Sequence, residues 1–373
     1  MKPFIASHLK DMNRKTVYQI LSSVGEISKA EIGRQSGISP PTVIKIIDFF
    51  LKNGLVTEAG EGDSMLGRKP QMLRFNADAA YMIGIEYDGD QLSAGIVDLL
   101  ANVKHIKRMP IEQDFNLIIN SRLEECVNTL IAEAGLSLDK VMGIGIGIPG
   151  VVDNNRYLVQ HAPLIGVSEE HSYAAEVQDL STKLGIPIFF ENDVNAAAVG
   201  EFITRGFDST DDLLYISLGS GLGAGLILNG VLRKGKTHAA GEIGYMVFDK
   251  TFKTTSSKAG WLESSIILDP LYRQLDAPAN IDKDQLNTFL NTMADHLALC
   301  IANLSVMLDT GLVVLGGSGV EVIGSKLLDM MKEKLAALCL SHVDCHLSKS
   351  QYSGIIGAAS IVHEAVLDTL LEG

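Results

Sequence analysis

Between Ser28 and Asn53 the chain is written as two short helices with almost no room between them. Ser28 followed three residues on by Glu31 is a capping box, which predicts a helix from Lys29. Gly37 can take the left-handed conformation that ends such a helix after about two turns. Ser39 then caps a second helix, and Pro40 suits a first helical position, where its missing N–H costs nothing. Val17, Ile20 and Leu21 give a preceding helix an apolar face, and Ile32, Ile38, Val43, Ile46, Ile47 and Phe50 close a small three-helix core. Two short helices joined by a tight Gly turn are the sequence form of a DNA-binding helix-turn-helix, whose second helix enters the major groove. Ser39, Thr42 and Lys45, at the start of that helix, are expected to face DNA. Leu55–Glu58 and Gln71–Phe75 read as the strands of a hairpin, a wing. Its Gly-rich tip, Gly60 to Gly67, is followed by Arg68 and Lys69, placed to reach a narrow minor groove.

The charge balance supports this once it is split. The chain of 373 residues carries a formal charge of −14. Residues 1–80 hold 11 Lys/Arg against 8 Asp/Glu, and the remainder 20 against 37. A mildly basic head can approach phosphates while the acidic body is repelled from them, so one head alone should bind DNA modestly and with steep salt dependence. The length allows two or three domains. Neither a signal-peptide pattern nor an apolar run of membrane-spanning length is apparent. Cys126, Cys300, Cys339 and Cys345 form no Cys-x-x-Cys pair and read as reduced thiols of a cytoplasmic protein.

Beyond a short joint at Asn76–Ala80 the pattern changes. Tyr81–Glu86, Leu92–Asp98 and Asn102–Ile106 look like an antiparallel meander, followed by a helix from about Phe115 to Ala134. Val141–Gly150 is a Gly-alternating strand, where missing side chains permit close packing or close approach of a ligand. The pattern restarts with strands at Ile188–Phe190, Leu213–Leu218, Gly225–Leu228 and Leu312–Leu315, the last after a long helix near Leu286–Met307. Two α/β lobes with a cleft between them is the natural reading.

These motifs, in this order, resemble the ROK family (repressor, open reading frame, kinase). The resemblance rests on the helix-turn-helix with its Gly67-Arg68-Lys69-Pro70 wing, Gly147-Ile148-Pro149-Gly150, Glu191-Asn192-Asp193-Val194-Asn195-Ala196, Leu218–Gly223, Gly241-Glu242-Ile243-Gly244 and Leu315-Gly316-Gly317. It implies an α/β protein in which an N-terminal winged helix-turn-helix precedes a two-lobed actin-like (ribonuclease H-like) sugar-kinase fold. The expected division is residues 1–76 for the DNA-binding domain, 80–192 for the first lobe, with a C-terminal helix over 361–373 returning to it, and 193–360 for the second lobe with the oligomerisation surface. It further implies that Gly150, Asn192, Asp193, Glu242, Tyr245 and Glu263 surround a sugar. Asp193 matches the family's general base, which takes a proton from the attacking hydroxyl. Read without the family, Asp193 is a helix cap over Ala196–Phe202.

Two departures argue against catalysis. Family kinases carry Asp-x-Gly-Gly-Thr after the first strand, and this chain has Glu86-Tyr87-Asp88-Gly89-Asp90, whose added negative charge would repel a triphosphate. Gly219–Gly223 keeps its glycines, but these also suit a tight turn between strands. The family's zinc cysteines are replaced by Thr255–Trp261, with Tyr245 where a His is common, so no metal and no cofactor is expected. His238 reads as a surface or hinge residue, and Pro163 stands where the family often has an Asn. The expectation is a cytoplasmic repressor of carbohydrate metabolism, homodimeric or homotetrameric, with operator DNA and a sugar or sugar derivative as partners and no membrane. The alternatives are an ATP-dependent sugar kinase with a DNA-binding head, and a regulator whose body answers to a protein partner.

Overall fold

The computed structural model describes residues 6–62, 69–88, 91–111, 114–249, 259–267, 269–275 and 281–372. At the N-terminus, α1 (Ala6–Ser23), α2 (Lys29–Ser36) and α3 (Pro40–Lys52) pack beside a small antiparallel sheet of β1 (Ile27–Ser28), β2 (Val56–Glu61) and β3 (Gln71–Phe75), ordered β1-β3-β2. The Glu31 N–H donates to Ser28 Oγ at 3.2 Å, and Gly37 takes φ 68° as its N–H bonds Gly33 O at 3.0 Å. Only half of the capping box forms, because the Glu31 carboxylate turns forward to Arg34 and Gln35. Ser39 stands at the N-cap of α3 but does not cap it with its side chain; its hydroxyl meets Thr42 Oγ1 at 2.9 Å instead. The joint is pinned at both ends: Asn76 Nδ2 donates to Gly54 O, Leu99 N to Ala77 O, and Tyr81 Oη to Asp78.

The first lobe is built on a five-stranded sheet. It begins with the meander β4 (Tyr81–Asp88), β5 (Gln91–Asp98) and β6 (Val103–Pro110). α4 (Phe115–Leu117) and α5 (Leu123–Ala134) are joined by a π-helical turn, Ile118–Arg122, which lets Ile118, Ile119 and Leu123 all reach the core. β7 (Val141–Ile148) follows, then a small sheet of β8 (Val151–Asp153), β9 (Leu158–Gln160) and β10 (His171–Ser172), α6 (Ala174–Leu184) and β11 (Ile188–Asn192). After α7 (Asp193–Arg205) the second lobe repeats the plan: β12 (Leu213–Leu218), β13 (Leu222–Leu228) and β14 (Val231–Leu232) run antiparallel. α8 (Trp261–Ile266), α9 (Lys283–Leu308), β15 (Leu312–Gly316), α10 (Ser318–Leu338) and β16 (Asp344–Leu347) complete it. β15 and β16 lie parallel to β12 on its other side, as β7 and β11 do to β4. The two sheets therefore share one topology although no repeat is visible in the sequence.

The last helix, α11, spans Ser353–Leu371, beginning earlier than position 361. By length and hydropathy it could cross a membrane, contrary to the sequence expectation, but half of it is buried inside the protein. What buries it is an unusual closeness of backbones. A Cβ on Gly84 or Gly145 would lie 1.9 Å from the carbonyl oxygen of Ile355 or Ala358, and one on Gly200 would lie 1.9 Å from Ser353 O. In the reverse direction, a Cβ on Gly357 would lie 1.7 Å from Ala196 O. α11 thus rests directly on β4, β7 and α7, where any side chain would hold it off. A buried ion pair adds to the joint: Arg205 Nε donates to Glu201 Oε1 at 2.6 Å, and Ser348 and Ser353 hydroxyls and the Lys349 N–H also donate to Glu201.

Gly357→Ala should therefore lower unfolding free energy by about 3 kcal/mol or more, since a methyl with nowhere to go forces backbone movement. Gly25→Ala, where nothing lies within 4 Å of the added carbon, should stay within about 0.5 kcal/mol. Urea unfolding of the two variants checks the contrast.

Candidate ligand-binding site

Between the two sheets lies a cleft of about 870 Å³. Gly150, Asn192, Asp193, Glu242, Tyr245 and Glu263 all line it, so residues spread over more than a hundred positions meet in one place. The chain enters α7 here. Asn192 is the N-cap, accepting the Asn195 N–H at 2.8 Å, while its Nδ2 donates to Gly150 O at 2.8 Å and to Asp193 Oδ1 at 3.1 Å. Asp193 also accepts the Val194 N–H at 2.8 Å. It stands at the first helical position, where the helix dipole favours negative charge. Capping and site roles are thus divided between neighbours: Asn192 caps, and Asp193 is presented to the cleft. Gly150 sits at φ 95°, and a Cβ there would lie 2.7 Å from Ala162 Cβ and from the Gln160 carbonyl oxygen, a place only glycine fills without strain.

Opposite Asp193 stand Glu242 and Glu263. The backbone N–H groups of Leu222 and Gly260 hold Glu263, and bare Gly221 and Gly244 make room for its carboxylate. Burial pushes the Glu242 carboxyl up to about 6, with Asp193 and Glu263 adding to the effect. Burial likewise raises Glu263, against the pull of its two N–H donors. Tyr245 stands at the rim, 53% exposed, its hydroxyl raised by burial and by the field of Glu242 and Glu263. Three converging carboxylates can accept hydroxyl hydrogens from a polyol, and they oppose an anion entering at the same point.

The other end of the cleft is shaped by the chain's own groups. Glu86 places its carboxylate over bare Gly354, in the first turn of α11, where a Cβ would lie 2.4 Å from it. Gly219–Gly223 forms the turn between β12 and β13, and Tyr272 Oη donates to Gly219 O at 2.9 Å. Gly89 and Asp90 lie outside the described residues, as do Thr255–Lys258. Among the described residues no group of three or more His, Cys, Asp and Glu side chains is arranged to hold a metal ion. His238 reaches from the second lobe to within 3.7 Å of Asp153, and Lys234 pairs with buried Glu191 at 2.5 Å, so two polar contacts join the lobes beside the cleft. Pro163 is exposed on the cleft wall.

On α3, Ser39 and Lys45 are exposed and Thr42 half-buried, while Val43, Ile46, Ile47 and Phe50 are buried. Lys69 is exposed at the tip end of the β2–β3 hairpin, just before β3; Arg68 lies outside the described residues. Sequence reasoning missed Glu201 with Arg205, which lines no motif, although a Glu–Arg pair one helical turn apart was there to be read. It also missed Tyr215, whose hydroxyl fits against bare Gly316 on the cleft wall.

Paired sheets of one topology, closing on a cleft where a strand end, a helix N-terminus and opposed carboxylates meet, define a sugar-kinase-like α/β protein. The chain belongs to the ROK family, whose profile matches residues 82–365. A xylose repressor of Bacillus subtilis is 29% identical over 241 residues, 65% of this chain and 62% of that protein. The DNA-binding transcriptional dual regulator NagC of Escherichia coli is 24% identical over 238 residues, 64% of this chain and 58% of that one. The match thus spans about three fifths of the length of these curated relatives. Among solved structures, a ROK family transcriptional regulator homologous to the E. coli MLC protein superposes over 98% of both chains with a TM-score of 0.78 at 20% identity. A ROK glucokinase of Streptomyces griseus superposes over 76% of this chain with a TM-score of 0.61 at 22% identity. At these identities the likeness establishes the fold.

The raised Glu242 carboxyl has a consequence for stability. Its folded form holds a proton that the unfolded chain releases near 4.5, so its contribution is complete below that pH and is lost as pH rises through about 6. Between pH 5 and 7.5 the wild type should lose about 1 kcal/mol that Glu242→Gln does not lose. Denaturant titrations of both proteins at the two pH values check this.

Proposed function

We propose that this chain is a DNA-binding transcriptional regulator, a repressor of carbohydrate genes, whose kinase-like body senses a sugar without phosphorylating it. Residues 1–76 are the winged helix-turn-helix, 80–192 with the C-terminal helix the first lobe, and 193–360 the second. The observation that carries the reading is the pairing of an exposed α3 face, bearing Ser39, Thr42 and Lys45, with a body whose cleft keeps the carboxylates suited to a sugar. The repressor names of the relatives support it. Two heads in a homodimer would read half-sites about one helical turn or a multiple apart, which offsets the modest charge of each. A DNA target implies a cytoplasmic protein.

Against catalysis stand Asp88 and Asp90, where the family's kinases carry a glycine and the threonine, since their added negative charge would repel a triphosphate. Asp193 is then a sugar contact in a vestigial general-base position, with Gly150, Asn192, Glu242, Tyr245 and Glu263 around the same ligand. The carboxylates favour an uncharged sugar at that end of the cleft.

Selection from a random DNA pool should yield a two-fold symmetric operator. Arg68→Ala with Lys69→Ala should weaken binding and reduce the salt slope by about 1 for each phosphate that is no longer neutralised. An unchanged slope would remove the wing from the interface. D-xylose and N-acetyl-D-glucosamine, free and phosphorylated, should be titrated against that complex. Asp193→Ala and Glu242→Ala should abolish the sugar response yet leave operator binding intact. ATP turnover with these sugars should stay at background; turnover that vanishes in Asp193→Asn would make the protein a kinase.

A further inference from the structure

α11 runs from the cleft to the head. At its first turn Ser353, Gly354 and Ile355 line the cleft. At its far end it meets α1: Tyr18 Oη lies 2.9 Å from His363 Nε2, Lys15 pairs with Asp368 at 2.5 Å, and the Arg14 guanidinium donates to Leu371 O. Val362, Val366 and Leu371 share one continuous apolar core with Val17, Tyr18, Leu21 and Phe75. The head is therefore attached twice, by the joint and by this seam. A single chain connection leaves rotations free; a second attachment removes them.

Arg14 is the singular residue of the seam. It is 6% exposed, and among the described residues it makes no ion pair. Its charge is met by the carbonyl end of α11, which carries the negative end of the helix dipole, and by the face of Phe49, whose ring centre lies 3.6 Å from the guanidinium carbon. Phe49 belongs to α3. A buried cation thus holds the last turn of α11 and the DNA-reading helix in one fixed relation, and displacement of either strips it of a partner.

We infer that Arg14 is a positioning residue through which α11 conveys the state of the cleft to α3. The inference rests on the functional reading above and adds the route. α7, which presents Asn192 and Asp193, is pressed against α11 through Gly200 and Gly357, so a ligand that moves α7 moves α11 with it. The motion reaches α3 at Arg14 rather than through the joint alone.

The test uses the full chain with Arg14→Gln and Arg14→Lys, and Lys15→Ala as a seam control. Without ligand, amide exchange in the second half of α3 and the last turn of α11 should rise together by about tenfold in Arg14→Gln, and little in Lys15→Ala. Lysine can donate to the Leu371 carbonyl but lacks the planar face that stacks on Phe49. Arg14→Lys should therefore restore protection in α11 and not in α3, a separation that general loosening of the head would not give. Unchanged exchange in α3 of Arg14→Gln overturns the inference. In the operator assay, whichever of D-xylose and N-acetyl-D-glucosamine shifts wild-type affinity by about tenfold should shift Arg14→Gln by about twofold or less, with calorimetric sugar affinity unchanged. A full response in Arg14→Gln overturns the inference and leaves the functional reading standing. A wild type that binds no DNA, or answers neither sugar, overturns both, and the exchange arm still reports whether Arg14 ties α11 to α3.

Discussion

The interaction on which the molecule depends is that of α11 with the glycines beneath it. Gly84 and Gly145 lie on adjacent strands, Gly200 on α7 and Gly357 on α11 itself, and each lets one backbone touch another. Packing at this distance leaves no side chain to slide or repack, so the first sheet, the site helix and the last helix move as one piece. Such stiffness fixes one wall of the cleft. Asp193 lines it together with Glu242 and Glu263, and the separations of the three carboxylates are set in part by how firmly α7 is held. The cost is local: Glu242 is buried near two like charges, and its raised carboxyl measures what it takes to keep them together.

Much of the head was legible in the sequence because its signals are short-range. Ser28, Gly37 and Pro40 act on their own backbone, and the structure places α2 and α3 where those residues predict. The same reasoning stopped at side chains with two possible partners. Glu31 found Arg34 and Gln35 nearer than the Ser28 N–H, and Ser39 found Thr42. In the body, alternation revealed the meander and β7, and the motifs gathered at the cleft as their order implied. What stayed hidden was long-range. Gly354, Ala358 and Ala359 give α11 the look of a bare apolar run, and nothing nearby in the chain says that Gly84, Gly145 and Gly200 are the surfaces it fits. The identical topology of the two sheets is hidden for a related reason, since strand order is fixed by which edges are free and not by which residues recur.

The Glu86 carboxylate sits where the first strand of the body meets the first turn of α11. In this architecture a helix N-terminus at a cleft is a place for an anion. Here the chain supplies its own, from the strand that leads into the cleft, and Gly354 gives it room. Glu86 and the carboxylates of Asp193, Glu242 and Glu263 thus line one cleft, with negative charge toward both of its ends.

The seam between α1 and α11 also bears on how the protein is made. Arg14 and Leu371 stand 357 positions apart. During synthesis the N-terminal helices leave the ribosome long before the last turn of α11 follows them. The head can form its own small core early, but its seating waits on that turn. Order in the making of the molecule thus runs opposite to order in its support, since the part formed early is held in place by a part formed late.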